Sequence, residues 1–386
     1  MLPLYLSSKE IWRNKSRFIS VSLVIALITL LVLFISALGE GLALAGKEYL
    51  ENLNEDAEIL IFQENVDIAI PSSRLGRSKL NDLSRVDGIE AVGPIGFSVA
   101  SILTDNGEDN IDVAFIGVEP GLPGEPPVFA GSQLQSRRAN EIIIDQNILD
   151  LADIAVGEQV ELRVVQGTRE EIYSVTVVGH TAGQTYQFLP GVFAPLLTWD
   201  KIRPSNGVSD GTELSFNVAA VKVSPSQDWE ALAPIIEAEV NGIEVSDPVT
   251  AYENGPGYAA QQNTVNTQKT FIILIATLVI GGFFQIQTLQ KVGQVGMLKA
   301  IGASNLLVSV SLLVQVVMTT LIGVVIGSAA AYGLSLALPP GTPIVFEGPS
   351  ILISLLLLIG IGPLSGLISM RTLFKVEPLT ALGLGN

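Results

Sequence analysis

The sequence predicts an α-helical membrane protein with four transmembrane helices, one followed by three, and a large α+β domain between the first and second spans. Three observations predict this class. The 386 residues are 48% hydrophobic and only 15% charged, with a mean hydropathy of +0.49, whereas soluble domains carry about 25% charge. Four windows hold the roughly 20 apolar residues that a helix needs to cross the hydrocarbon core. The charge is also divided. Residues 46–262 hold 34 acidic and 12 basic residues, and the remainder holds 4 acidic and 9 basic ones. An acidic, soluble-looking body is therefore set between apolar, mildly basic flanks, a balance that disfavours nucleic acid as a partner.

Several chemistries are excluded at once. The absence of cysteine removes disulfides, CxxC redox sites and thiolate metal sites. A single histidine, His180, excludes a multi-histidine zinc site.

Residues 1–17 read as a cytoplasmic interfacial helix, with Tyr5 and Trp12 suited to the headgroup level and Lys9, Arg13, Lys15 and Arg17 facing anionic lipid. The first span is placed at 18–45, on the uncharged run Phe18–Leu38, which is longer than the h-region of a cleaved signal. The second occupies 270–290, the third 305–338 and the fourth 349–370, where Pro363 predicts a kink. The bases before span 1, Lys291 and Lys299 between spans 2 and 3, and Arg371 and Lys375 after span 4 all fall on one side. The positive-inside rule makes that side cytoplasmic, together with both termini and the tail 371–386. The domain at 46–262 is then extracytoplasmic.

Within that domain, Lys47–Leu53 extends span 1 and Tyr258–Lys269 leads into span 2, as stalk helices. A short repeat is visible. Val86-Asp-Gly-Ile-Glu90 precedes Pro94, and Val240-Asn-Gly-Ile-Glu244 precedes Pro248. Each copy follows an amphipathic segment: Leu80, Leu83 and Val86 in the first, and Trp229, Leu232, Ala233, Ile236 and Val240 in the second. Ser224 with Pro225 and Gln227 suggests a capping box for the second helix. Gly88 and Gly242 suit the left-handed position that ends a helix. With strands at 57–62 and 66–70, and at 215–223, ahead of these helices, two strand–helix–strand units form ferredoxin-like halves. Glu141–Asp145, Glu158–Val165 and Glu171–Gly179 alternate as short strands, predicting a small β-barrel or sandwich inserted at about 131–200.

Other signals weigh little. Gly41 to Lys47 fits most of G-x-x-x-x-G-K, but Glu48 stands where a phosphate loop needs Ser or Thr, and no strand precedes it. His180 has no nucleophile elbow to serve, and no catalytic or metal residue is assigned. Gly323 and Gly327, like Gly362 and Gly366, lie four apart and allow close helix packing. Gln285, Gln287 and Gln315 are placed to hydrogen-bond between helices. No acid or base lies inside the four uncharged runs, which argues against an ion-coupled pathway.

Between spans 2 and 3 the chain reads Lys291-Val-Gly-Gln-Val-Gly-Met-Leu-Lys-Ala-Ile-Gly-Ala-Ser304. This resembles the cytoplasmic motif of MacB/FtsX/LolC-type ABC transporter permeases, often close to EIGILKAIGAS. Val295, Gly296, Leu298, Lys299, Ala300, Ile301, Gly302, Ala303 and Ser304 match it, and Gln294 replaces the usual Glu. The run Trp12–Arg17 and the layout of one span, large domain and three spans are also similar to that family, with length and layout like its DevC subgroup.

The resemblance implies a homodimeric permease of the bacterial inner membrane, bound through residues 291–304 to a separate ABC ATPase that carries the ATP and Mg. It implies mechanotransmission, in which ATPase closure moves stalks and a porter-type external domain, a MacB-like periplasmic core. The result is export or extraction of a lipid, lipopeptide, peptide or drug, with a periplasmic adaptor as a further partner. The alternative is an FtsX-like regulator that activates a cell-wall hydrolase. The residues themselves agree with a lever. Val295, Leu298 and Ile301 are expected on one side of a short helix, with Lys291 and Lys299 at the membrane surface. A partner pressing that helix differently in two states supplies the differential contact a switch requires.

Overall fold

The computed structural model describes residues 9, 12–13, 15–53, 57–104, 110–152, 154–167, 169–204, 214–225, 227–255, 257–338, 342–346 and 348–374. Most of the expected interfacial helix at 1–17 and nearly all of the tail 371–386 lie outside the described residues. The chain divides into two compact units, a helical one from Met1–Gly41 and Gln262–Asn386, and an α+β one from Leu42–Gln261.

The helical unit contains most of α1 (Lys15–Leu53). Three helices among the described residues, α1 included, are long and apolar enough to cross a membrane. The others are α7 (Tyr258–Gln290) and α9 (Asn305–Ser335), with the short α8 (Val292–Ala300) between them. Helix α10 (Gly348–Phe374) follows and runs on through Pro363. Apolar side chains of all four long helices meet in one core, including Ile25 and Val32 of α1, Ile280 and Phe284 of α7, Val324 of α9 and Leu358 of α10.

The expected glycines sit at helix contacts. A Cβ on Gly323 would stand 2.7 Å from Ile25 Cβ, and one on Gly327 would stand 2.6 Å from Thr29 Cβ, so both face α1. Gly362 of α10 rests on Thr320 of α9. The surroundings of Gly366 lie outside the description. Polar side chains add ties between helices. The Ser22 hydroxyl donates to Thr319 O at 3.3 Å. Glu40 accepts from Ser350 at 2.8 Å and pairs with Lys269 at 3.5 Å, joining α1, α7 and α10.

In the α+β unit the elements run β1 (Ile59–Gln63), β2 (Leu75–Gly76), α2 (Arg77–Leu83), β3 (Ile89–Leu103), β4 (Ile111–Val118), β5 (Ala130–Gly131), β6 (Glu141–Asp145) and α3 (Gln146–Ala152). They continue with β7 (Gln159–Gln166), β8 (Arg169–Thr181), β9 (Thr185–Tyr186), β10 (Leu189–Pro195), α4 (Leu196–Ile202), β11 (Ser215–Phe216), β12 (Val218–Val223), α5 (Trp229–Glu239), β13 (Ile243–Ser246) and α6 (Pro248–Glu253). Strands β13, β1, β12 and β3 pair in that order, every neighbour antiparallel. With α2 and α5 as crossovers, this is the order and direction of a split βαβ arrangement. Residues 66–70, expected as a strand, have turns and no strand.

The strands within 131–200 differ from a self-contained inserted barrel. β3 pairs with β4, β4 with β10, β10 with β6, β6 with β8, β8 with β7, and β7 returns to β3. The circuit is closed, but two of its six strands come from before residue 131. The long β3 serves both parts: Ile89–Ile95 pairs with β12, and Ile95–Ile102 pairs with β4. Trp199 plugs this region. It is 1% exposed, seats its ring on the paired glycines Gly96 and Gly117, and donates its indole N–H to Ser98 Oγ at 2.9 Å and Phe115 O at 3.0 Å.

One cap differs from expectation. Helix α5 starts at Trp229 with Asp228 as N-cap, accepting from Glu230 N–H at 3.2 Å. Ser224 instead closes a turn, its carbonyl accepting from Gln227 N–H at 2.9 Å. The carboxylate nearer the apolar face wins the cap. Gly88 and Gly242 do adopt positive φ, 101° and 72°.

Candidate functional site

Residues 291–304 form a turn, a helix and a reversal. Helix α8 begins just after Lys291 and closes at Ala300. Gly302, at φ +96°, turns the chain back, and the Ser304 hydroxyl accepts from Leu307 N–H at 3.3 Å to cap α9. A left-handed residue is what such a tight return between two helices needs, and glycine takes it without steric cost.

Val295 is buried against Val308 of α9, flanked by Val292, Ala303 and Leu312. Gly296 is buried as well, while Gln294, Met297, Gly302 and Ser304 are exposed. Ile301 is 81% exposed. Val295 and Ile301 therefore do not share a face, because the helix has ended before Ile301. The side chains of Leu298, Lys299 and Ala300 lie outside the description. Among the described residues of this segment, the exposed ones are thus Gly293, Gln294, Met297, Ile301, Gly302 and Ser304.

Lys291 corrects the sequence expectation more sharply. It is 5% exposed rather than lying at a surface. Its ammonium donates to the side-chain carbonyl of Gln315, itself 3% exposed, and lies 5.7 Å from the centre of the Phe18 ring. One side chain at the root of α8 thereby touches α9 and α1. Gln315 was legible as an interhelical donor or acceptor, but nothing local to Lys291 announced its burial.

Within the α+β unit, the far end of α1 is held by its own set of contacts. Tyr49, Leu50 and Leu53 are buried in the core on one face of the sheet, with Leu60, Phe62, Ile95, Ile116 and Phe193. Hydrogen bonds fasten the same turns. The Tyr49 hydroxyl donates to Gly124 O at 2.9 Å, the Thr185 hydroxyl donates to Glu48 at 2.7 Å, and Asn52 donates to Gly183 O. The β9–β10 hairpin turns on Gln187 and Phe188, both at positive φ (49° and 67°). Two such residues are what a tight two-residue hairpin requires, at a steric cost when neither is glycine. The N–H groups at this tip donate to Gly46 O at 3.3 Å and Ala45 O at 3.0 Å.

Burial pushes the Glu48 carboxyl above its usual range, against the pull of its Thr185 bonds, and the charge of Asp145 adds to the rise. Burial likewise raises Asp145, which accepts from Gln184 N–H at 2.9 Å. The Gly41–Lys47 sequence is helical within α1, so its backbone N–H groups form no phosphate-cradling loop. His180 lies on β8, bonded through its backbone carbonyl to Phe129 N–H at 2.9 Å. Among the described residues there is no cluster that could hold a metal ion.

Comparison with known proteins agrees with this architecture. Residues 20–239 match the model of the MacB-like periplasmic core domain, and residues 270–378 match that of the FtsX-like permease C-terminal region. A hemin transport system permease protein, HrtB, of Staphylococcus haemolyticus is 26% identical over 98% of this chain and 99% of its own. The macrolide export ATP-binding/permease protein MacB of Rhodopseudomonas palustris is 30% identical over 32% of this chain and 21% of its own. The solved periplasmic region of MacB from Actinobacillus actinomycetemcomitans aligns over 51% of this chain and 92% of its own, at 14% identity and a TM-score of 0.37. The chain belongs to the MacB/FtsX-type family of ABC transporter permeases.

Proposed function

We propose that this permease works by mechanotransmission: a separate ABC ATPase, holding ATP and Mg, presses on α8, and the α+β domain responds on the other side of the membrane. In this reading four helices span the bilayer, α10 supplying the fourth, with both termini in the cytoplasm and two copies of the chain forming a homodimer. The observation that carries it is the continuity of α1, a 39-residue helix whose last turns are hydrogen-bonded and buried in the domain's core. In this reading the helix is the element that carries the displacement. Residues 294–304 form the docking and reversal segment, and Gly323, Gly327, Gly362 and Gly366 keep the moving helices in close contact.

The cargo class is a lipid, lipopeptide, peptide or drug handled outside the membrane. The relatives matched end to end are named for hemin transport, which adds a porphyrin to the compounds worth testing. The test is co-purification of the ATPase from the native host, followed by ATP hydrolysis and export in reconstituted vesicles. Gly302→Ala is expected to leave insertion and ATPase binding intact while lowering export per ATP. Unchanged coupling, or failure to recover any ATPase, overturns the reading. Recovery of a cell-wall hydrolase in place of an exported compound favours the FtsX-like regulatory role.

A further inference from the structure

At the N-terminal end of α1 a groove of about 280 Å³ opens on the helical unit. Trp12, Lys15, Phe18 and Ile19 form one wall, and Ile322 and Ile326 of α9 form the other. Three of its apolar side chains are exposed, Trp12 at 73%, Ile19 at 62% and Ile326 at 49%, over a buried Phe18. The mouth is basic. The Lys15 ammonium lies 5.0 Å from the Trp12 ring centre, Arg13 is exposed beside it, and neither forms an ion pair among the described residues. In sequence, the first 39 residues hold four bases and one acid, Glu10. A further cation, Lys291, stands at 5.7 Å from the Phe18 ring behind the wall.

We propose that this groove seats one acyl chain of an anionic phospholipid from the adjoining leaflet, with the lipid phosphate on the Lys15 ammonium and Trp12 at the headgroup level. Three considerations select this occupant. A lipid tail gains little by leaving other tails for an apolar groove, so the groove supplies shape and the head must supply preference. Bases near a membrane surface attract anionic lipid, and Trp is the side chain suited to bridge ring-apolar and polar layers there. A second copy of the chain docking symmetrically here would bring the same bases face to face, since a two-fold interface is self-complementary.

The experiment needs no ATPase and so stands or falls apart from the coupling reading. The full chain is reconstituted in phosphatidylcholine vesicles containing acyl-brominated phosphatidylglycerol or acyl-brominated phosphatidylcholine, and tryptophan fluorescence is read. Trp12 is in the groove, whereas Trp199 and Trp229 belong to the α+β unit, and a Trp12→Phe variant subtracts their signal. The expected result is half-quenching of Trp12 at roughly fivefold lower fraction of the anionic lipid, the preference one base near the surface supplies. Lys15→Gln should abolish the preference and Lys15→Arg should retain it. Ile326→Phe, filling the groove, should reduce quenching by both lipids.

Equal quenching by the two lipids, or a preference that survives Lys15→Gln, overturns the proposal. So does disulfide cross-linking between copies through Ile19→Cys, a clean probe in a chain without cysteine, because it would show the groove covered by protein.

Discussion

The bond between Lys291 and Gln315 allows a test of how firmly α8 is rooted in the helical unit. Lys291→Met keeps an unbranched apolar stem of similar reach and removes the ammonium; Gln315→Leu removes the acceptor. Both positions are nearly fully buried, so solvent does not replace the lost partner. A hydrogen bond to a charged group is worth about 1.5–3 kcal/mol in proteins. The nearby Phe18 ring contributes a cation–π term of about 0.5–2 kcal/mol. Lys291→Met should therefore lose about 2–5 kcal/mol and Gln315→Leu about 1.5–3 kcal/mol, and the double variant should lose clearly less than their sum. The assay is reversible unfolding of the full chain in mixed detergent micelles, scored as a double-mutant cycle. A coupling energy above about 1 kcal/mol is expected. Additivity within about 0.5 kcal/mol would refute the view that these two side chains act as one contact.

Three further outcomes follow from the same structure. Gly117→Ala would place a Cβ 2.5–2.7 Å from Trp199, and the ring cannot withdraw without stretching its bonds to Ser98 and Phe115; a loss of about 2–4 kcal/mol is expected in tryptophan-monitored denaturant unfolding. Gly327→Val should separate α9 from α1 and cost about 1–3 kcal/mol of detergent stability, measured by thermal unfolding, and a neutral result would remove this glycine from the helix contact.

The third concerns pH. Burial holds Glu48 and Asp145 above the ordinary carboxylate range, so their ionisation costs the folded state more than the unfolded one. Their contribution is full when both states are protonated and is lost as pH rises through the folded pKa values. Acidification from neutrality toward the ordinary carboxylate range should thus stabilise the α+β unit, and Glu48→Gln should flatten the gain. Asp247 works oppositely: despite its burial, the bonds from Thr250 and Val249 hold it low, and its contribution is lost only at lower pH.

The long apolar helices were readable because hydrocarbon demands one long uncharged run per crossing, a signal that survives any arrangement of the helices. The repeat was readable because Gly88 and Gly242 punctuate equivalent helix ends. What escaped depended on distant partners. Lys291 looked like a surface base because its neighbours are ordinary, and the reason for its burial sits 24 residues away at Gln315. The closed circuit of strands was missed because β3 was treated as belonging to one half, when its 15 residues outrun the sheet that its first half joins. Glu40 drew no notice, although a lone carboxylate beside a long neutral run was a sign that something, here Lys269 and Ser350, must meet it.

That shared strand also sets how far a small movement reaches. From Ile95, against the end of α1, to Leu103, beside β7, β3 advances eight residues, roughly 26 Å of extended chain. Strand β4 pairs with it from Ile95 to Ile102, while the other edge carries β12 up to Ile95 and β7 from Ser101; tipping the root by about 5° would sweep the tip by about 2 Å. A strand of that length shared by both parts of the sheet would enlarge at the rim any small rotation made at its root.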